Sequence, residues 1–168
     1  MPRGYKLREW RRKGFDAERS LVKYLRELGY VCLRIPTSGS TKEPLPDVFA
    51  IKKDSNPCKL IAFEVKAITT RYYHYTVKAK QVKKLLKFIN IFSGIKGLEC
   101  KATIAFHFLQ GKRTKSPWII KFVDEAKDVK IHLWDESDMP ELTEKTFSRK
   151  IKKKIKWLRE LHANKTNP

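Results

Sequence analysis

Val31-Cys32-Leu33-Arg34-Ile35, Pro46-Asp47-Val48-Phe49-Ala50-Ile51 and Leu60-Ile61-Ala62-Phe63-Glu64-Val65-Lys66 are the parts of one stretch, 31–66, that decide the fold. Each is an apolar run of strand length, and turn-forming residues separate them: Pro36, Ser38, Gly39, Ser40 and Pro44, then Asp54-Ser55-Asn56-Pro57. Two runs carry acid where acid is costly. Asp47 opens the second, and Glu64 sits inside the third with Lys66 two places on. Strand side chains alternate, so residues i and i+2 share a face. Glu64 and Lys66 are therefore expected to point the same way, toward the side of Asp47.

The chain has 168 residues, 41% of them hydrophobic, which suits one compact domain with a tail. We divide it into a basic N-terminal arm (1–13), a central domain (14–142) and a basic C-terminal helix with its tail (143–168). No apolar run is long enough to span a membrane, and the basic N-terminus lacks the apolar segment of a secretory signal. Cys32, Cys58 and Cys100 show neither a disulfide framework nor a zinc spacing, so an intracellular setting, cytoplasm or nucleoid, is expected. Thirty-eight Lys and Arg against eighteen Asp and Glu give a net charge of +20. A heat-adapted surface would enrich acids and bases together. Here acids are half as frequent, so the balance points to a polyanion, nucleic acid before acidic lipid.

Outward from the deciding stretch, Phe15, Leu21, Val22, Leu25 and Leu28 recur at helical spacing, and Gly29 follows as a C-cap signal. That helix carries Glu18. The third run is nearly continuously apolar, which suits a central strand covered on both faces. The segment 68–76 is polar and aromatic and reads as a loop whose Arg71 and Tyr75 can approach phosphates and sugars. From Val77 to Phe92 the pattern predicts a helix with a broad apolar face, wide enough to be covered by a second subunit. Glu99–Leu109 and Trp118–Val123 read as further strands. The segment 124–140 reads as irregular with a short strand at Ile131–Leu133, and 143–162 as a helix with one strongly basic face.

Phosphodiester hydrolysis needs an attacking water, charge neutralisation at the phosphate and stabilisation of the leaving oxygen. A divalent cation held by carboxylates supplies most of this. Asp47 and Glu64 are the candidate ligands, the main-chain carbonyl of Val65 is a third, and Glu18 completes the set directly or through water. Lys66 is placed to hold the nucleophile and to counter developing negative charge. Ser38 or Ser40 can hold a phosphate or water by hydroxyl, and Arg34 can grip the backbone through two parallel hydrogen bonds. An E-x-K triplet alone is common. Here P-D opens one strand and E-V-K lies in the next, after a helix bearing a glutamate, in a chain of this charge.

That constellation resembles the PD-(D/E)xK nuclease superfamily and, more closely, the archaeal Holliday-junction resolvases. The matching features are Arg12-Lys13-Gly14, Ala17-Glu18-Arg19, Leu33-Arg34, Ser38-Gly39-Ser40, Pro46-Asp47-Val48, Phe63-Glu64-Val65-Lys66, Tyr75, Gln81-Val82 and the strand from Trp118. The resemblance covers Arg11 to Val123. It implies an α/β, restriction-endonuclease-like fold with a mixed central sheet of about five strands flanked by helices. It also implies a homodimeric, Mg²⁺-dependent endonuclease, Mn²⁺ substituting, that nicks opposed strands of four-way DNA junctions and needs no small-molecule cofactor. Glu18, Asp47, Glu64 and Lys66 take the catalytic roles with a supporting serine, Ser38 or Ser40. The DNA contacts are expected from Arg11, Arg12, Lys13, Arg19, Arg34, Arg71 and Tyr75. Two other readings stand beside it: a restriction-like or repair nuclease acting on flaps, ends or damaged duplex, and a DNA-binding module that keeps the fold without the chemistry.

Overall fold

The computed structural model describes residues 3–36, 43–69, 74–109 and 118–139, with Lys156 and Glu160 as single helical positions. Helix α1 runs Arg3–Glu27. Its buried positions, Ala17, Leu21, Val22 and Leu25, recur every three to four residues and form one stripe. Each large side chain in that stripe contributes on the order of 2 kcal/mol by leaving water. The helix ends where the Gly29 N–H donates to the Arg26 carbonyl and the Tyr30 N–H donates to the Leu25 carbonyl. This is a Schellman closure, and Gly29 takes the positive φ of 81° that it requires. The residues expected as a separate arm, up to Lys13, continue α1 without a break at Gly14. Good helix formers and the Glu9–Lys13 ion pair one turn apart (2.7 Å) support those turns.

The main sheet has the order β1-β2-β3-β5-β6. Its strands are β1 (Val31–Arg34), β2 (Val48–Lys52), β3 (Cys58–Thr69), β5 (Leu98–Leu109) and β6 (Trp118–Val123). Strands β3 and β5 run parallel, and the other neighbours are antiparallel, so the five-stranded sheet is mixed as expected. One face packs on α1 through Ile61, Phe63, Val65, Trp118 and Ile120. The other packs on helix α2 (Ala79–Asn90) through Leu60, Ala62, Ile68, Ile104 and Phe106. Coverage on both sides explains the unbroken apolar run Leu60–Phe63, in which every residue is buried. Cys32 is a small core residue whose thiol donates to the Val22 carbonyl, and the described cysteines are free thiols.

Strand β4 (His74–Val77) and strand β7 (Val129–His132) pair as a separate two-stranded ribbon. This corrects three expectations. Segment 68–76 is not a loop throughout, because Ile68 and Thr69 extend β3 and His74–Thr76 belong to β4. Val77 does not begin the helix; it is buried against the ribbon opposite Val129, and α2 starts at Ala79. The short strand lies at Val129–His132 rather than Ile131–Leu133. The start of α2 has no local capping side chain. The Asp128 carboxylate accepts from the Ala79 N–H (2.8 Å) and the Lys78 ammonium (2.9 Å), so the cap comes from far along the chain. Among the described residues, no helix is long and apolar enough to cross a membrane. Most of the expected C-terminal helix, with Ser38, Ser40 and Arg71, lies outside the described residues.

Candidate active site

The candidate site forms where β2 begins beside the middle of β3. Asp47 stands one residue before β2. Its N–H donates to the Phe63 carbonyl and its carbonyl accepts from the Ile35 N–H, both at 2.9 Å. The regular β2–β3 pairing stops at Val48 opposite Phe63. The next donor on β3, the Val65 N–H, is taken by the Asp47 carboxylate at 2.7 Å. The side chain thus continues the ladder where the strand cannot, and it is locked at the sheet's opening edge.

Glu64 and Lys66 share a face as their spacing requires. The Lys66 ammonium donates to Glu64 Oε1 at 2.6 Å, and these side chains are 17% (Lys66) and 20% (Glu64) exposed. They lie on the α2 side of the sheet, in line with Leu60, Ala62 and Ile68. From the first turn of α2, the Gln81 amide reaches the same Glu64 oxygen at 3.4 Å. The α1 layer supplies Glu18, half-buried, whose carboxylate accepts from Arg34 Nε at 2.5 Å. The Arg34 guanidinium also lies over the Phe15 ring, 4.7 Å from its centroid.

Electrostatics tie these groups together. Burial, followed by the charge of Glu64, pushes the Asp47 carboxyl up to about 6, against the pull of the Val65 N–H and Lys66. Burial likewise raises Glu18, which Arg34 opposes and Glu64 reinforces. Burial alone would lower Lys66, but the charge and hydrogen bond of Glu64, with help from Asp47, outweigh it and raise the ammonium overall. Lys66 is therefore a fixed cation at neutral pH. The charge of Glu64 adds to burial in raising the Asp47 carboxyl, and a divalent cation between them would relieve that conflict. Among the described residues, no three carboxylate, histidine or cysteine side chains come together as a complete metal cage. A pair of carboxylates nevertheless suits a hard divalent cation, which takes oxygen ligands.

The structure thus brings Glu18, Arg34, Asp47, Glu64, Val65 and Lys66 to one locality. Tyr75 joins from β4, close enough to Lys66 to act on its charge, with its ring edge against Phe106. Arg11, Arg12 and Arg19 are exposed along α1, while Lys13 is engaged by Glu9 and by the Trp10 ring. Sequence reasoning did not assign Gln81 or Phe15 to the site. Gln81 sits in a lysine-rich helix, and its contact with Glu64 depends on the path of the β3–β5 crossover.

A family model described as archaeal Holliday junction resolvase (Hjc) matches residues 9–145. A crossover junction endodeoxyribonuclease Hje from Saccharolobus solfataricus is 36% identical over 142 residues, 84% of this chain and 94% of that protein. The Hje of Sulfolobus acidocaldarius is 37% identical over 118 residues, 70% of this chain and 75% of that one. Among solved structures, the Holliday junction resolvase Hjc of Archaeoglobus fulgidus superposes with a TM-score of 0.53 at 22% identity, over 71% of this chain and 88% of that one. That likeness extends the agreement to the fold.

Proposed function

The chain belongs to the archaeal Holliday junction resolvase family, and from that membership we propose that it cuts four-way DNA junctions on opposed strands in a Mg²⁺-dependent reaction. The observation that carries the chemistry is the locked Asp47 beside the Glu64–Lys66 pair at the opening of β2 and β3. Asp47 and Glu64, with the Val65 carbonyl, would hold Mg²⁺ or Mn²⁺, and Glu18 would reach it directly or through water. The bound ion supplies an activated water and positive charge at the phosphate. Lys66 adds a permanent positive charge beside the reacting phosphate. Gln81 holds the Glu64 carboxylate in place, and Arg34 does the same for Glu18. Ser38 or Ser40 holds a phosphate or water. Arg11, Arg12, Lys13, Arg19, Arg34, Arg71 and Tyr75 position the DNA backbone. The substrate sets the place of work inside the cell, with its DNA. In the assay, a synthetic four-way junction is nicked in Mg²⁺ and left whole in excess chelator; cutting at full rate in chelator contradicts the metal reading.

Paired nicks on opposed strands fit a two-fold dimer, which places two sites on two arms. The face we assign to it is the outer side of α2. There Ile91 is 68% exposed and Ile95 is also exposed. Beside them Leu86, Ala102 and Phe122 line a cleft between α2 and the β5–β6 edge. Light scattering at micromolar concentration is expected to give twice the chain mass of 19.8 kDa, and Ile91→Asp is expected to shift the protein toward monomer. A monomeric wild-type chain contradicts the dimer.

A further inference from the structure

Beside the carboxylates, α1 and the edge strand β1 enclose a second concave surface, a cleft of about 570 Å³. Arg19, Lys23, Arg26 and Arg34 line it against a single acid, Glu27, over Leu33 and Val22. Arg19, Lys23 and Arg26 are spaced i, i+4 and i+7, so they form one ridge along α1 about 10 Å long. That length matches the axial rise of roughly three nucleotides of one strand. Glu27 neutralises little of the ridge, since its closest approach to Lys23 is 4.0 Å between two exposed side chains. Arg26 is drawn toward the strand by donating to the Cys32 carbonyl at 3.3 Å. Val22 on α1 and the β1 edge at Leu33 form the floor of the cleft. Arg34 belongs both to this cleft and to the Glu18 ion pair, so the basic track begins at the carboxylates.

Arg19, Lys23 and Arg26, with Arg34 paired to Glu18 at one end, leave the concave surface net positive, which attracts a polyanion. An acidic peptide pairing with the free edge of β1 would use the same charge. Continuity with the cutting site favours DNA. We infer that this cleft carries the sugar–phosphate backbone of one DNA strand away from the scissile position, with Lys23 and Arg26 as phosphate contacts beyond the site residues. The inference rests on the resolvase reading for which DNA is bound, but not for whether the cleft binds it.

The test compares the salt dependence of DNA binding among full-length variants. Lys23→Gln/Arg26→Gln removes two charges from the cleft. Lys127→Gln/Lys130→Gln removes two exposed charges from β7 and the turn before it, on the side of the sheet that α2 covers rather than α1. Charge-preserving Lys23→Arg/Arg26→Lys controls for folding, and thermal unfolding is followed for all. On a four-way junction, the slope of log affinity against log salt is expected to fall by roughly two in the cleft double variant. It is expected to stay near the wild-type value in the distal and charge-preserving variants. Equal slopes for the cleft and distal variants, or an equal loss in the charge-preserving one, overturn the inference. The same series on linear duplex separates the two readings. A wild type without junction preference removes the resolvase reading, while a cleft-specific slope change on either DNA still supports the track.

Discussion

Glu64→Gln and Asp47→Asn are each expected to abolish junction cutting while leaving junction binding intact. Each substitution keeps shape and a hydrogen-bonding oxygen but deletes a charge. In Glu64→Gln the amide oxygen still accepts from Lys66 and Gln81, and in Asp47→Asn it still accepts from the Val65 N–H, so the local frame survives. The fold loses little. Asp47→Asn also removes a carboxyl that burial and Glu64 already push up to about 6, so the metal-free variant is expected to melt no lower than wild type near pH 7. Cation affinity and transition-state charge balance are lost, and the expected fall in rate is roughly a thousandfold or more, about 4 kcal/mol. Binding is expected to persist because it comes from Lys and Arg contacts to phosphates, in a chain of net charge +20. Single-turnover cutting and gel-shift binding measure the two separately. Wild-type cutting by either variant removes these carboxylates from the reaction.

Lys66→Met is expected to lower the cutting rate by about a hundred- to a thousandfold without removing the alkaline limb of the pH profile. The reason is the balance around the ammonium: burial lowers it, and Glu64 and Asp47 together more than restore it. A lysine held charged above its ordinary value contributes field, not proton abstraction, near neutral pH. Its removal therefore scales the rate by the same factor on the alkaline side, about pH 8 to 9, while toward acid the loss deepens because Lys66 no longer holds the Asp47 carboxyl down. If Lys66 were the base, the variant would lose the limb of the profile that reports deprotonation. Parallel alkaline limbs support the electrostatic role, and a lost alkaline limb contradicts it.

The strands of the candidate site were legible in the sequence because their information is local. Alternation placed Glu64 and Lys66 on one face, and the proline-led start of β2 put Asp47 at a strand opening. The continuous apolar run named β3 as the central strand. What was not legible depends on distant partners. Strand β4 has four residues and exists because β7, more than fifty positions later, pairs with it. The helix starts at Ala79 rather than Val77 because Val77 packs in that ribbon and Asp128 supplies the cap. Glu18 taken alone reads as a solvated helix residue. Its half-buried pairing with Arg34 follows from how α1 crosses β1, and only the family resemblance gives it a role from sequence. Gln81 falls within the matching pattern, but its contact with Glu64 is set by where α2 docks. The arm expected before Gly14 joins α1 because helix propensity and the Glu9–Lys13 pair sustain it.

Asp47, Glu64 and Lys66 are proposed to cut DNA at a four-way junction. The most direct measurement incubates the wild-type chain in Mg²⁺ with a synthetic four-way junction and with linear duplex of the same sequence, and maps the products of each on a denaturing gel. The expected products are paired nicks on opposed strands of the junction, with the duplex intact. Equal cutting of the duplex would contradict it and identify a nuclease of the same fold that acts on ordinary or damaged DNA.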